Sequence, residues 1–372
     1  MVISTERKSP VVPALAGLWS LLTVGLGSWW LLQPSAYPFE YVPGQFGTVL
    51  EVMEPATTGL ICVGAGLLGL ATLVLAPLRA LTVGVAAVIA LWFGLVVPGA
   101  APLTMVGYMM AMFGPAVLFA VVLAGAWRWR GGPALVGAFV LVGVAAWVTG
   151  VADAAVLARY VGIIRESMYK FVPPAVLTFF LVGGVLWGVL GARAVLAARP
   201  GRPAPGWTRP EAAARWGKVA AVVAALCALP YGLQRLSWLT PWPIGMDPAG
   251  LAANPEMRLH GLLLGLSALA GALLTTGLVS RWGEVWPRWV PGVRGKPVPL
   301  AAAVVPGGLV AALFTVAALP FTVGMVAEGE FWAVLVFPFP IWGPALALAV
   351  LGYALRRRGA EGTVGVQQRL RG

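Results

Sequence analysis

Apolar runs of about 20 residues, the length an α-helix needs to cross the hydrocarbon core of a bilayer, recur along the whole chain. Ten such runs fall at approximately 11–33, 56–78, 80–98, 105–126, 133–152, 171–191, 217–239, 259–280, 299–326 and 331–355. A segment placed in lipid must satisfy its own backbone hydrogen bonds, which leaves helices and closed barrels as solutions. The short alternating strands that a membrane barrel requires are missing from the sequence. Charged residues make up 10% of the chain and hydrophobic residues 60%, whereas soluble domains carry roughly a quarter charged residues. The reading is an all-α integral membrane protein with about ten transmembrane helices.

The net charge of +12 would suggest a nucleic-acid partner in a soluble protein. Its distribution has a simpler cause. With the N-terminus placed in the cytoplasm, 20 of the 25 Lys and Arg residues fall in cytoplasmic segments, while nine of the 13 acidic residues fall in outer ones. This is the positive-inside bias of membrane insertion. It places both termini in the cytoplasm, and membrane lipids, not nucleic acid, are the expected partners. Arginine outnumbers lysine 21 to 4, which with abundant Ala, Gly and Val points to a GC-rich bacterium and hence to the bacterial plasma membrane. The charged start before the first apolar run resembles a signal peptide, but the run is too long for one, so an uncleaved first helix is expected. Cys62 and Cys227 each sit inside an apolar run and read as small packing residues.

An internal repeat is visible. FGPAVLFAVVLAGAWRWRG from Phe113 and WGPALALAVLGYALRRRG from Trp342 share Gly114/Gly343, Pro115/Pro344, Ala116/Ala345 and Arg128/Arg357 at a constant offset of 229. Upstream, Tyr37-Pro38 corresponds to Trp242-Pro243 and Glu54 to Glu256. The expected organisation is a parallel duplication of four, two and four helices. Residues 1–131 form the first repeat, 132–192 two linking helices, 193–216 a cytoplasmic linker, 217–358 the second repeat and 359–372 a cytoplasmic tail.

The stretch from Trp238 to Val279 concentrates the polar chemistry. A Pro-rich, Trp-bearing loop with Asp247 leads into a helix that opens with Glu256, Arg258 and His260, the only histidine of the chain. Glu256 and His260 are four residues apart and share one helix face. A carboxylate at a helix N-terminus is also what the helix dipole favours, and one histidine without further ligands does not make a zinc site. Glu54, Asp247, Glu256, Arg258 and His260 are therefore the candidate outward-facing polar site, with no metal and no cofactor expected. Ionisable groups at membrane depth are costly unless they are used.

Prolines give a second candidate. The run FPFPIWGP, with Pro338, Pro340 and Pro344, and Pro115 in the matching helix would interrupt helical hydrogen bonding in mid-membrane, as the discontinuous helices of transporters do. Kinks that serve packing are the plainer reading. Gly184-x-x-x-Gly188 and Gly261-x-x-x-Gly265 have the spacing that lets helices approach closely, although 48 glycines also produce such spacing by chance. The segment RWGEVWPRWVPGVRGKPVP alternates aromatic and basic residues. Arg281, Trp282, Trp286, Arg288 and Trp289 there are candidates for contact with lipid headgroups or a protein partner. Catalytic signatures are absent: there is no G-x-S-x-G, no phosphate-binding Gly-rich loop and no H-E-x-x-H. No catalytic residue is assigned.

Through its repeated aromatic-Pro outer loops, Tyr37-Pro38-Phe39 and Trp242-Pro243-Ile244, and the segment at Arg281, the chain resembles uncharacterised polytopic (multi-pass) membrane proteins of actinomycetes. The resemblance implies a plasma-membrane protein and carries over no catalytic or binding residue. The leading functional expectation is a transporter or permease-like protein for an unidentified small solute, with its site between the two repeats. A non-enzymatic membrane subunit, sensor or scaffold is the alternative, and a membrane-embedded lipid-modifying enzyme the third.

Overall fold

The computed structural model describes residues 11–39, 47–75, 79–126, 131–197, 205–287, 290 and 292–371, with backbone alone at 79, 115, 118, 167–169 and 359–371. The described residues are predominantly helical and hold no strand beyond an isolated bridge between Val285 and Pro297. In chain order the helices are α1 (Val11–Leu32), α2 (Pro55–Val74), α3 (Arg79–Leu91, extended by a π turn at Trp92–Val96), α4 (Ala101–Ala126), α5 (Gly132–Val148), α6 (Ala154–Ser167) and α7 (Val172–Ala197). There follow α8 (Pro210–Ser237), α9 (Pro248–Ala253), α10 (Glu256–Gly277), α11 (Leu300–Ala327), α12 (Ala333–Val336) and α13 (Phe339–Arg371).

Among the described residues, eight helices are long and apolar enough to cross a membrane: α1, α2, α4, α7, α8, α10, α11 and the segment Ala333–Arg358. This supports a multi-pass membrane protein. The other two expected spans are the shorter apolar helices Ala80–Val96 and Gly132–Val148. At 1.5 Å per residue each is roughly 26 Å long, just under the hydrocarbon thickness. Helix starts follow local chemistry. Proline stands in the first turn of α2, α8 and α9, where its missing N–H would have had no intrahelical partner.

Packing groups the chain into two compact units. Unit 1 comprises Met1–Pro102 and Lys170–Pro203, and unit 2 comprises Leu103–Tyr169 and Ala204–Gly372.

In unit 1, α1 packs along α2, and α3 along α7. The core is aromatic. Trp19 stacks on Phe179 and meets Phe93 edge-on, and its indole N–H donates to the Phe179 carbonyl at 2.9 Å. Trp30, Tyr37 and Phe39 form a second group, where the Tyr37 hydroxyl donates to the Leu50 carbonyl at 2.7 Å. The aromatic-Pro segment thus turns back onto its own helix ends.

In unit 2, α8 packs against both α10 and α13, and α13 against α11. The expected helix break is present between α12 and α13, at Phe337-Pro338. Phe314, Phe321, Phe337, Phe339 and Trp342 fill its surroundings with ring contacts of 4.1 to 6.1 Å. Pro340 and Pro344 are exposed and α13 runs through Pro344 unbroken, while the Pro115 side chain lies outside the described residues.

Water-driven burial offers little to hold apolar helices together inside lipid, so close approach at small residues has to supply packing. Gly66 in α2 illustrates this. A Cβ there would stand 2.5 Å from the Ser20 carbonyl oxygen and 2.6 Å from a Val24 methyl of α1, whereas Gly64, two residues away, faces open space. Gly66→Ala should therefore destabilise the protein by about 1–3 kcal/mol through overpacking. Gly64→Ala should leave stability unchanged. Thermal melting of the purified protein in detergent reads the difference.

Candidate functional site

The α8 sequence Tyr231, Gln234, Arg235 and Trp238 repeats at three- and four-residue spacing and therefore presents one face. The start of α10 lies against that face because α10 carries glycine at the contact. A Cβ on Gly261 would be 2.7 Å from the Trp238 ring, and one on Gly265 would be 3.2 Å from both the Gly232 carbonyl oxygen and the Arg235 Cβ. The Gly261-x-x-x-Gly265 spacing is thus in use. The loop that follows α8 is tied to the same helix end. Gln234 Nε2 and Trp238 Nε1 both donate to the Ile244 carbonyl, at 2.9 and 3.1 Å, and the Ile244 amide donates to Ser237 Oγ at 2.8 Å. Gly245, at φ +68°, then turns the chain under Trp332.

His260 stands at the centre of what this packing assembles. Its Nδ1 is 2.9 Å from the Tyr160 hydroxyl of α6, and its ring meets Tyr108 of α4 edge-on at 4.9 Å. Asp153 caps the N-terminus of α6, accepting from the Val156 amide at 2.8 Å. Val151, Val156 and Leu259 form the buried apolar patch that holds α6 on α10. On α8, the Arg235 guanidinium lies 4.3 Å from the Trp238 ring centre and 5.0 Å from that of Tyr231, within cation–π range. Its charge acts on both Tyr231 and His260. Tyr231 also touches Phe337, with ring centres 5.2 Å apart, so the cluster reaches the helix break.

Four buried polar atoms at these helix ends have no hydrogen-bond partner among the described residues: Gln234 Oε1, Arg235 Nε, Glu256 Oε2 and Arg258 Nε. Glu256 is only 9% exposed and Gln234 only 6%. Buried polar groups are ordinarily paired, and leaving one bare costs about 1–3 kcal/mol. Donors and acceptors are both present, which suits a ligand that offers both.

The sequence candidates therefore sort as follows. Glu256, Arg258 and His260 all lie in the first turns of α10 in unit 2. Asp247 is exposed and caps α9, accepting from the Gly250 amide at 2.9 Å. Glu54 is the exposed N-cap residue of α2 in unit 1 and makes no side-chain cap. Tyr108, Tyr160, Tyr231 and Arg235 are site residues that sequence reasoning missed. The spacing of Tyr231, Arg235 and Trp238 on one helix face was the available signal for α8, whereas nothing local marks Tyr108 or Tyr160.

The basic-aromatic segment after α10 folds back on itself. The Trp286 amide donates to the Lys296 carbonyl and the Gly295 amide to that of Trp286, both at 2.9 Å. Arg281 and Trp282 are at the surface, Trp286 is half-buried, and Arg288 and Trp289 lie outside the described residues. Arg356 fastens the segment by a 2.9 Å ion pair to Glu284, and Tyr353 by a 2.8 Å bond to the Gly283 carbonyl. Among the described residues no group of three His, Cys, Asp or Glu side chains is placed to hold a metal ion. Comparison with known protein families, curated proteins and solved structures finds no match to the chain.

Burial, with a smaller contribution from Tyr108, pushes the Tyr160 phenol above its ordinary value of 10.0. The folded protein thus favours the neutral phenol. Its contribution to stability is complete below about pH 10 and is lost as pH rises through the higher folded value. Tyr160→Phe should remove one late-ionising tyrosine from the tyrosinate absorbance titration and flatten the loss of stability above pH 10. It should also cost about 1 kcal/mol at neutral pH by removing the bond to His260.

Proposed function

We propose that the chain is a permease-like multi-pass membrane protein that takes up a small polar solute at the His260 cluster of unit 2. The supporting observation is the set of buried atoms on Gln234, Arg235, Glu256 and Arg258 that have no hydrogen-bond partner among the described residues, at the adjoining ends of α8 and α10, the latter carrying the Tyr160–His260 hydrogen bond. Polar and ionisable side chains in membrane helices are expensive to keep and mark solute pathways. A solute with both a hydrogen-bond donor and an acceptor would satisfy these groups. Tyr108, Tyr160, Tyr231 and Trp238 would supply flat surfaces beside it. On the charge bias of the sequence, this end of α8 and α10 faces outward.

A sensor or membrane subunit that binds without transport is the second reading. The aromatic filling of the helix break at Phe337-Pro338 favours it, because a transport pathway through that break would need polar backbone facing water.

Uptake of a panel of labelled small solutes into liposomes containing the purified protein separates the two. Under the permease reading one solute accumulates, and Arg235→Gln, Glu256→Gln and His260→Ala each reduce its uptake about tenfold, matching ~1.4 kcal/mol of lost contact. A solute that raises the melting temperature but never accumulates would transfer the protein to the sensor reading. If no solute in the panel either binds or accumulates, the His260 cluster is not a solute site.

A further inference from the structure

At the other end of unit 2, roughly 26 Å along α8 from Arg235 at 1.5 Å per residue, lies a second feature of different chemistry. A cavity of about 200 Å³ opens between the N-terminal part of α8, the residues just beyond α10 and the middle of α13. Its floor is backbone. A Cβ on Gly352 would stand 2.8 Å from the Gly217 Cα and 3.1 Å from the Ala213 carbonyl oxygen, so the two helices touch there without side chains and leave room beside them. Leu278 and Val279 form an apolar wall, and Lys218 and Arg356 supply the charge.

The two cations differ in how they are held. Arg356 is fixed: its Nη2 donates to the Leu278 carbonyl at 3.0 Å and its Nη1 pairs with Glu284 at 2.9 Å. Lys218 is exposed and has no partner among the described residues. Tyr353, also in the lining, spends its hydroxyl proton on the Gly283 carbonyl and accepts from Arg357. Arg209, Arg215, Lys218, Arg281, Arg356 and Arg357 gather at this end of the unit against the carboxylates of Glu211 and Glu284. Positive charge is therefore in excess around a pocket with one ammonium that is unpaired among the described residues.

We infer that this cavity binds the phosphate of an anionic membrane lipid. The phosphate would sit between the Lys218 ammonium and the Arg356 guanidinium, with the glycerol and first acyl carbons against Leu278 and Val279. Three observations favour a lipid over a free anion. The lining is apolar apart from the two cations and Tyr353. The pocket lies where membrane-spanning helices end, the depth at which headgroups stand. Basic pockets between helices near the membrane surface bind anionic headgroups by the same combination of charge and apolar contact. The inference does not depend on the permease reading, since it concerns the opposite end of the helices and other residues.

The test uses the full chain in zwitterionic detergent, titrated with phosphatidylglycerol, with phosphatidylcholine and with inorganic phosphate, and read by native mass spectrometry and melting temperature. Phosphatidylglycerol should bind about tenfold more tightly than phosphatidylcholine and raise the melting temperature. Lys218→Gln, which removes an exposed and unpartnered charge, should weaken that binding about fivefold while leaving the lipid-free melting temperature unchanged. Ala214→Leu, which fills the cavity and keeps both cations, should weaken it as much. Arg215→Gln, an exposed neighbour outside the lining, should change it less than about twofold. Equal losses from Arg215→Gln and Lys218→Gln would overturn the site in favour of a diffuse surface attraction. Should Ala214→Leu fail to fold, that comparison alone decides. Displacement of the lipid by an equal concentration of inorganic phosphate would overturn the lipid assignment and leave a soluble-anion site.

Discussion

The approach of α10 to α8 at Gly261 and Gly265 is the contact on which the geometry of the His260 cluster in unit 2 rests. Inside a bilayer the surrounding acyl chains are as apolar as the helix surfaces, so packing must come from closely matched backbones. Gly265 brings α10 against the Gly232 carbonyl, and Gly261 lets the Trp238 ring lie over the helix. The same contact fixes where Arg235 and His260 can stand. Unit 1 uses the device independently, with Gly27, Gly59 and Gly66 between α1 and α2, and Gly94 against Gly184 between α3 and α7.

The charged side chains described in the spanning helices of unit 2 lie toward the ends of their apolar segments, and the physical reason is the cost of burying charge elsewhere. Between the ends the interior is alanine and aromatic: Ala220, Ala221, Ala224 and Ala228 on α8 against Phe339, Trp342 and Leu346 on α13. At one end three tyrosines, a histidine and two arginines collect. At the other, Arg356, Arg357 and Tyr353 clamp the segment after α10 onto α13. Among the described residues, one end thus keeps polar atoms without partners, and the other pairs most of its own.

Much of the architecture was legible in the sequence because lipid leaves a span few choices. Length and hydropathy mark the eight described helices that are long and apolar enough to cross a membrane, and the break at Phe337-Pro338 is where proline removes a donor. The shortness of α3 and α5 was less legible, since their apolar runs continue past the points where the helices end, through the π turn at Trp92–Val96 and the turn after Val148. The candidate site was half legible. Glu256 and His260 follow from spacing along one helix. Tyr160 contributes from 100 residues away, and no local pattern distinguishes it from a tyrosine at a membrane interface. The break that the proline run makes is packed with rings, because Phe337 and Phe339 belong to the same run and pack against Phe321 and each other.

By itself, then, the sequence determined helices long and apolar enough for a multi-pass membrane protein and which short stretches carry its few charges. Backbone satisfaction and the free energy of moving groups between water and lipid act on each segment separately, so a single segment reports them. Tertiary structure alone decided which helices share a unit, that Tyr108, Tyr160, Arg235 and His260 converge, and that Lys218 and Arg356 border one cavity. Those outcomes depend on how glycine-bearing faces from distant segments fit together, a property of pairs of helices that no single helix encodes.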